Sequence, residues 1–116
     1  MSNCFCDSQL KPIYKGDDAT ITMMVTQDDG SLMNFNGKTV KFMIKKSKED
    51  PDNEAIISKT YSPTVDQTMV EIQLSKDDTN VDPMVYWWGV RVIAYNYQVT
   101  EGEGRVEIKQ GVFYGK

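Results

Sequence analysis

Residues 85–95, Val85-Tyr86-Trp87-Trp88-Gly89-Val90-Arg91-Val92-Ile93-Ala94-Tyr95, are the longest apolar run in the chain. Gly89 and Arg91 interrupt it, so it falls short of the roughly 20 consecutive apolar residues that a membrane helix needs. Its aromatic and β-branched content reads as a strand, and its length as a central one. By parity Tyr86, Trp88, Val90, Val92 and Ala94 share one face, and Trp87, Arg91, Ile93 and Tyr95 share the other. Both faces cannot line the same core. With the first set inside, the second presents Trp, Ile and Tyr beside an Arg, a composition enriched at protein interfaces.

The period of two continues outward from this segment. Ala19 to Thr26 alternates, with Thr20, Thr22 and Thr26 on the polar side, and so do Val40 to Lys45, Val70 to Leu74 and Val106 to Lys109. Ile56 to Tyr61 makes a weaker strand. Leu10 to Tyr14 contains Pro12 and reads as an edge strand or lead-in. Turn chemistry separates the runs: Gly16-Asp17-Asp18, Asp28-Asp29-Gly30, Asn36-Gly37, the charged loop Ser47 to Asn53 held out of a sheet by Pro51, and Ser62 to Gln67. Ser75 to Asp82 is consistent with one helical turn, Ser75 its N-cap and Pro83 beyond its end. The spacing is that of an all-β, antiparallel sandwich of seven to nine strands rather than of β-α-β units.

With 116 residues and no internal repeat or interdomain linker, the expectation is one domain over 1–116, residues 1–9 forming a flexible N-terminal segment. Thirteen basic against 17 acidic side chains, a net charge of −4, give no footprint for nucleic acid. The absence of histidine removes Ser-His-Asp and Cys-His catalysis and His-ligated zinc. The opening stretch MSNCFCDSQLKPIYK holds no apolar run long enough for a signal peptide, so a reducing cytosol is expected during synthesis. Cys4 and Cys6 fit that reading, being too close for an unstrained disulfide. They read as free thiols, with an intermolecular bridge or a shared metal as the alternative.

Candidate chemistry is confined to acids and aromatics. Asp78, Asn80 and Asp82 occupy the first, third and fifth places of a calcium-loop pattern, but Pro83 stands at the required glycine and Gly89 at the required bidentate acid. A solvated, N-capping turn is the favoured reading, a looser cation site the weaker one. No pair of carboxyls is set out as a glycosidase requires, and Gly102-Glu103-Gly104 reads as a hairpin turn, since no Lys-Ser/Thr follows it. No cofactor and no catalytic residue are expected. The remaining concentration is Tyr86, Trp87, Trp88, Tyr95 and Tyr97. Its outward stripe is either covered by the N-terminal segment near Phe5 and Leu10 or used as a docking surface, with sugar stacking on Trp87, Tyr95 or Tyr97 as a third reading.

The order Ile13-Tyr14-Lys15-Gly16-Asp17-Asp18, Asp28-Asp29-Gly30 and Phe35-Asn36-Gly37-Lys38-Thr39-Val40-Lys41-Phe42 resembles the N-terminal domain of phage baseplate upper proteins and related tail domains. Asp78 to Trp88 is similar to that family's lead-in to its central strand, and Gly102 to Val112 to its closing strand. Met84, Gly89 and Glu103 depart from the family's usual glycine, acid and apolar residue. The resemblance spans Ile13 to Val112 and rests on order and spacing. It implies an immunoglobulin-like β-sandwich that catalyses nothing and serves as a virion structural module in a tail, baseplate or neck. The implied partners are other phage structural proteins and further copies in the assembled particle, without nucleic acid or membrane; the implied location is the virion, after synthesis in the bacterial cytoplasm. Trp87, Arg91, Ile93, Tyr95 and Tyr97 are the expected subunit contact, with strand edges at Leu10–Tyr14 and Val106–Phe113 as further pairing sites. A module binding a surface glycan is the alternative.

Overall fold

The computed structural model describes the backbone of residues 3–4 and the whole of residues 10–112. Phe5, Cys6 and Phe113 lie outside the described residues, as does the side chain of Cys4. Nine strands follow in order: β1 (Asn3–Cys4), β2 (Ile13–Tyr14), β3 (Ala19–Met23), β4 (Val25–Thr26), β5 (Thr39–Lys45), β6 (Ile57–Tyr61), β7 (Val70–Leu74), β8 (Met84–Ala94) and β9 (Tyr97–Lys109). β1 falls within the segment expected to be flexible and pairs with β4. Among the described residues no helix is long and apolar enough to cross a membrane.

The larger sheet runs β2-β9-β8-β5-β6, and β3 pairs with β7 opposite it. This is an all-β sandwich, as the turn spacing indicates. Five pairings are antiparallel. The expectation of a wholly antiparallel fold is corrected at one edge, where β2 runs parallel to β9 with Ile13 opposite Ile108. β2 and β9 lie near opposite ends of the chain and are not joined by a hairpin, so nothing forces their directions to oppose. Lys15 N–H prolongs the pairing by donating to the Lys109 carbonyl at 2.8 Å.

Alternation fills one core between the sheets. Val40, Phe42 and Ile44 of β5 and Val70, Ile72 and Leu74 of β7 are buried, as are Tyr86, Trp88, Val90 and Val92 of β8. The inner face assigned to the central strand by parity is therefore correct. Phe42 stacks against Trp88 with ring centroids 6.5 Å apart and planes 24° from parallel, a contact of about 0.5–1.5 kcal/mol beyond area burial. On the open side, Tyr61 of β6 accepts the Gln73 N–H of β7 on its phenol oxygen at 3.0 Å, linking the edges of the two sheets.

The Ser75 turn forms as the sequence indicates. Ser75 Oγ accepts the Asp78 N–H at 3.1 Å while Asp78 Oδ2 accepts the Ser75 N–H at 2.8 Å, the reciprocal arrangement of a capping box. Thr79, fully buried, ties this loop to the turn after β2: its Oγ1 donates to the Asp17 carbonyl at 2.7 Å and accepts the Gly16 N–H at 3.1 Å. The charged loop after β5 contains a short 3-10 turn at Asp52–Glu54.

Candidate docking face

The outward side of the larger sheet is assembled row by row from the strand register. Lys45 of β5 lies opposite Trp87 of β8, which lies opposite Arg105 of β9. Met43, Gly89 and Glu103 make the next row, Lys41, Arg91 and Thr100 the third, and Thr39, Ile93 and Gln98 the fourth. Gly89, having no side chain, leaves a depression at the centre of these rows. The hollow measures about 280 Å³ and its walls include Trp87, Met43, Ile93, Lys41 and Arg91.

A β-bulge decides which β9 residues reach this face. Val90 pairs with Gly102 but Arg91 pairs with Thr100, so Glu101 is the extra residue. The bulge shifts the parity of β9, which is why even-numbered Gln98 and Thr100 and odd-numbered Glu103 all line the hollow. Glu101 itself is only 7% exposed. Its Oε2 accepts from the Tyr97 hydroxyl at 3.2 Å, and its Oε1 has no hydrogen-bond partner. Burial pushes its carboxyl pKa up, against the opposing effect of the Tyr97 hydrogen bond.

The five residues expected to form the contact separate accordingly. Trp87, Arg91 and Ile93 come together on the hollow. Tyr95 does not belong to the strand face: it occupies the β8–β9 turn and is 92% exposed. Tyr97 turns inward and packs on the core, which corrects its assignment to the binding stripe. Single-strand parity places neither residue, because the turn and the bulge both lie beyond the alternating segment. Of the two residues suggested as a cover for the stripe, Leu10 packs on the core, and Phe5 is outside the described residues.

The electrostatics of the face were missed in the reading of β8 alone. Lys48 Nζ lies over the Trp87 ring 5.1 Å from its centroid, and Arg105 Cζ lies over it at 4.8 Å, both within cation–π range. Lys45 pairs with Asp52 at 2.7 Å and Lys48 with Glu103 at 3.4 Å. The hydrogen bond from Lys45, followed by its charge, holds the Asp52 carboxyl below its ordinary pKa. The signal for these cations was present in β5, where Lys41 and Lys45 alternate with buried Val40, Phe42 and Ile44. Only the cross-strand register shows which aromatic and which cation they meet.

The acids of the supposed calcium loop serve other purposes. Asp78 Oδ2 pairs with Lys59 Nζ at 2.8 Å as well as capping Ser75. Burial pushes the Asp78 pKa up, but the contacts with Lys59 and Ser75 outweigh it and leave the group below its ordinary value. The Asp82 carbonyl accepts from the Tyr86 hydroxyl. No group of three or more His, Cys, Asp or Glu side chains placed to hold a metal ion occurs among the described residues.

No family model matches the chain, and no curated protein matches it. Solved structures do match, among them the periplasmic chaperone SfaE, at 8% sequence identity and a TM-score of 0.49. That alignment covers 99% of this chain and 60% of the chaperone chain, so the present chain spans about three fifths of that protein's length.

Proposed function

We propose that this chain is a binding module rather than an enzyme: a virion structural and assembly subunit of a phage tail, baseplate or neck that engages a neighbouring protein through the outer face of β5, β8 and β9. The observation that carries this reading is the hollow over Gly89, where Trp87, Met43 and Ile93 lie beside Lys41 and Arg91 on a rigid sheet. Apolar area with Trp and Arg at its centre is the composition of a protein-binding hot spot. The order of turns and strands from Ile13 to Val112 supports the phage assignment.

The glycan reading gains less from the geometry. Lys48 and Arg105 both stand over the Trp87 ring, in the space a stacking sugar would take. Tyr97 is turned to the core, and Tyr95 stands alone at the hairpin tip.

Co-expression with the structural proteins encoded beside it tests the proposal. A Gly89→Leu substitution fills the hollow, and a Cβ there meets its nearest neighbour, the Gly102 carbonyl, only at 3.9 Å. Loss of co-purification in a folded Gly89→Leu, Arg91→Glu variant supports the docking face. Unchanged co-purification overturns it, as does a chain that binds glycan arrays through the same residues.

A further inference from the structure

The outer face carries an excess of positive charge. Five of the chain's 13 basic side chains (Lys41, Lys45, Lys48, Arg91 and Arg105) surround the hollow, with two of its 17 acids, Asp52 and Glu103. Those two acids pair directly with Lys45 and Lys48, and Arg91 and Lys41 act on Asp52 only at longer range. Lys41 and Arg91 stand directly opposite each other across β5 and β8, with no carboxylate within 4.0 Å of either among the described residues. Like charges in direct cross-strand register repel. Such a pair is relieved when carboxylates arrive from outside, and Arg91 is suited to receive one bidentately.

The complementary charge is on the same molecule. Asp17 and Asp18, after β2, and Asp77 and Asp82, between β7 and β8, are exposed where these two loops meet at one end of the sandwich, with Lys15 and Lys76 in the same loops. Asp18 Oδ1 accepts the Lys76 N–H at 2.8 Å, and buried Thr79 clasps the two loops together. This acidic end is therefore preorganised, which lowers the ordering cost of docking. The side chains of Asp17, Asp77 and Asp82 make no ion pair among the described residues.

Building on the docking face described above, we infer that its occupant is a second copy of this chain, whose acidic end at Asp17 and Asp77 seats on Lys41 and Arg91. Two different patches are used, so an open assembly of any size retains one free face and one free end. The contact is heterologous and propagates into a ring or an open filament instead of stopping at a dimer.

Sedimentation velocity on the full chain tests this. The wild type gains mass with concentration at low salt and returns to monomer in about 0.5 M salt, where exposed charges are screened. Lys41→Glu, Arg91→Glu and, separately, Asp17→Lys, Asp77→Lys each weaken self-association by about tenfold or more, since both reversals set like charges against each other. Mixed in equal amounts, the two variants associate again, because each reversed face meets a complementary end. Gly89→Leu gives the same loss without a charge change, and serves if a reversal unfolds the chain. A wild type that stays monomeric at every concentration and salt overturns the inference, as does a mixture no more associated than its components. If that monomer still co-purifies with a neighbouring structural protein through Arg91, the docking face stands and only the identity of its occupant falls.

Discussion

The hydroxyl of Tyr86, a fully buried side chain near the start of β8, donates to the backbone carbonyl of Asp82 four residues earlier. This joins the central strand to the loop that delivers it, in the manner of the tyrosine corner of immunoglobulin-like sandwiches. Burial, with a smaller effect from the Asp82 charge, pushes the phenol pKa up, so the group remains a donor through the physiological range. Tyr86→Phe keeps the ring and leaves the carbonyl unpaired. Urea denaturation should show a loss of about 1–3 kcal/mol with an unchanged m-value.

Thr79 makes a second test of the same end of the molecule. It is 0% exposed and serves both the Asp17 carbonyl and the Gly16 N–H. Thr79→Val preserves shape but strands the Asp17 carbonyl and leaves the Gly16 N–H only its longer bond to the Thr79 carbonyl at 3.4 Å, and should cost about 1–3 kcal/mol. Thr79→Ser keeps the hydroxyl and should recover most of that loss. Equal stability of the Val and Ser variants would show that the clasp contributes nothing.

Glu101 should make stability fall as pH rises. Burial raises its pKa above the ordinary carboxyl value of 4.5 in the folded state, so the unfolded chain loses this proton first. The stability associated with this group is fully present below about pH 4.5 and is lost as pH climbs through the folded pKa. Glu101→Gln removes that dependence. Thermal melts should find the variant more stable than wild type at pH 7, with the difference shrinking toward pH 4.

Asp78 has the opposite sign. Its folded pKa lies below 3.8, so its contribution is present above that value and fades as pH falls through the folded pKa. Asp78→Asn should lose about 1 kcal/mol at pH 7, through the ion pair with Lys59 and the Ser75 cap together, and little at pH 2. Millimolar calcium should leave the wild-type melting temperature unchanged. A rise that vanishes in Asp78→Asn would restore the cation-site reading.

The legible part of the molecule is what a period of two can carry. Residues such as Val40, Phe42 and Ile44 against Lys41 and Lys45 declare their faces in a single strand, because side chains alternate regardless of the neighbouring strand. Most turn residues declared where strands end, and Ser75 its cap, because those interactions are local in sequence; Gly102-Glu103-Gly104 is the exception, lying inside β9 rather than in a hairpin turn. The β-sandwich, its core face and the place of Trp87, Arg91 and Ile93 followed from these facts.

Relations between distant strands were decided only by the tertiary structure. The parallel seat of β2 on β9 is a pairing between segments near opposite ends of the chain, which no local propensity encodes. The bulge at Glu101 reverses parity along β9, burying Glu101 and turning half-buried Tyr97 to the core side while bringing Gln98, Thr100 and Glu103 to the hollow. Register alone sets Lys41 opposite Arg91 and brings Arg105 over Trp87. The sequence determined which side of each strand is apolar; pairing across the sheet decided which charges share the outer face, because electrostatic energy depends on distance in space rather than along the chain.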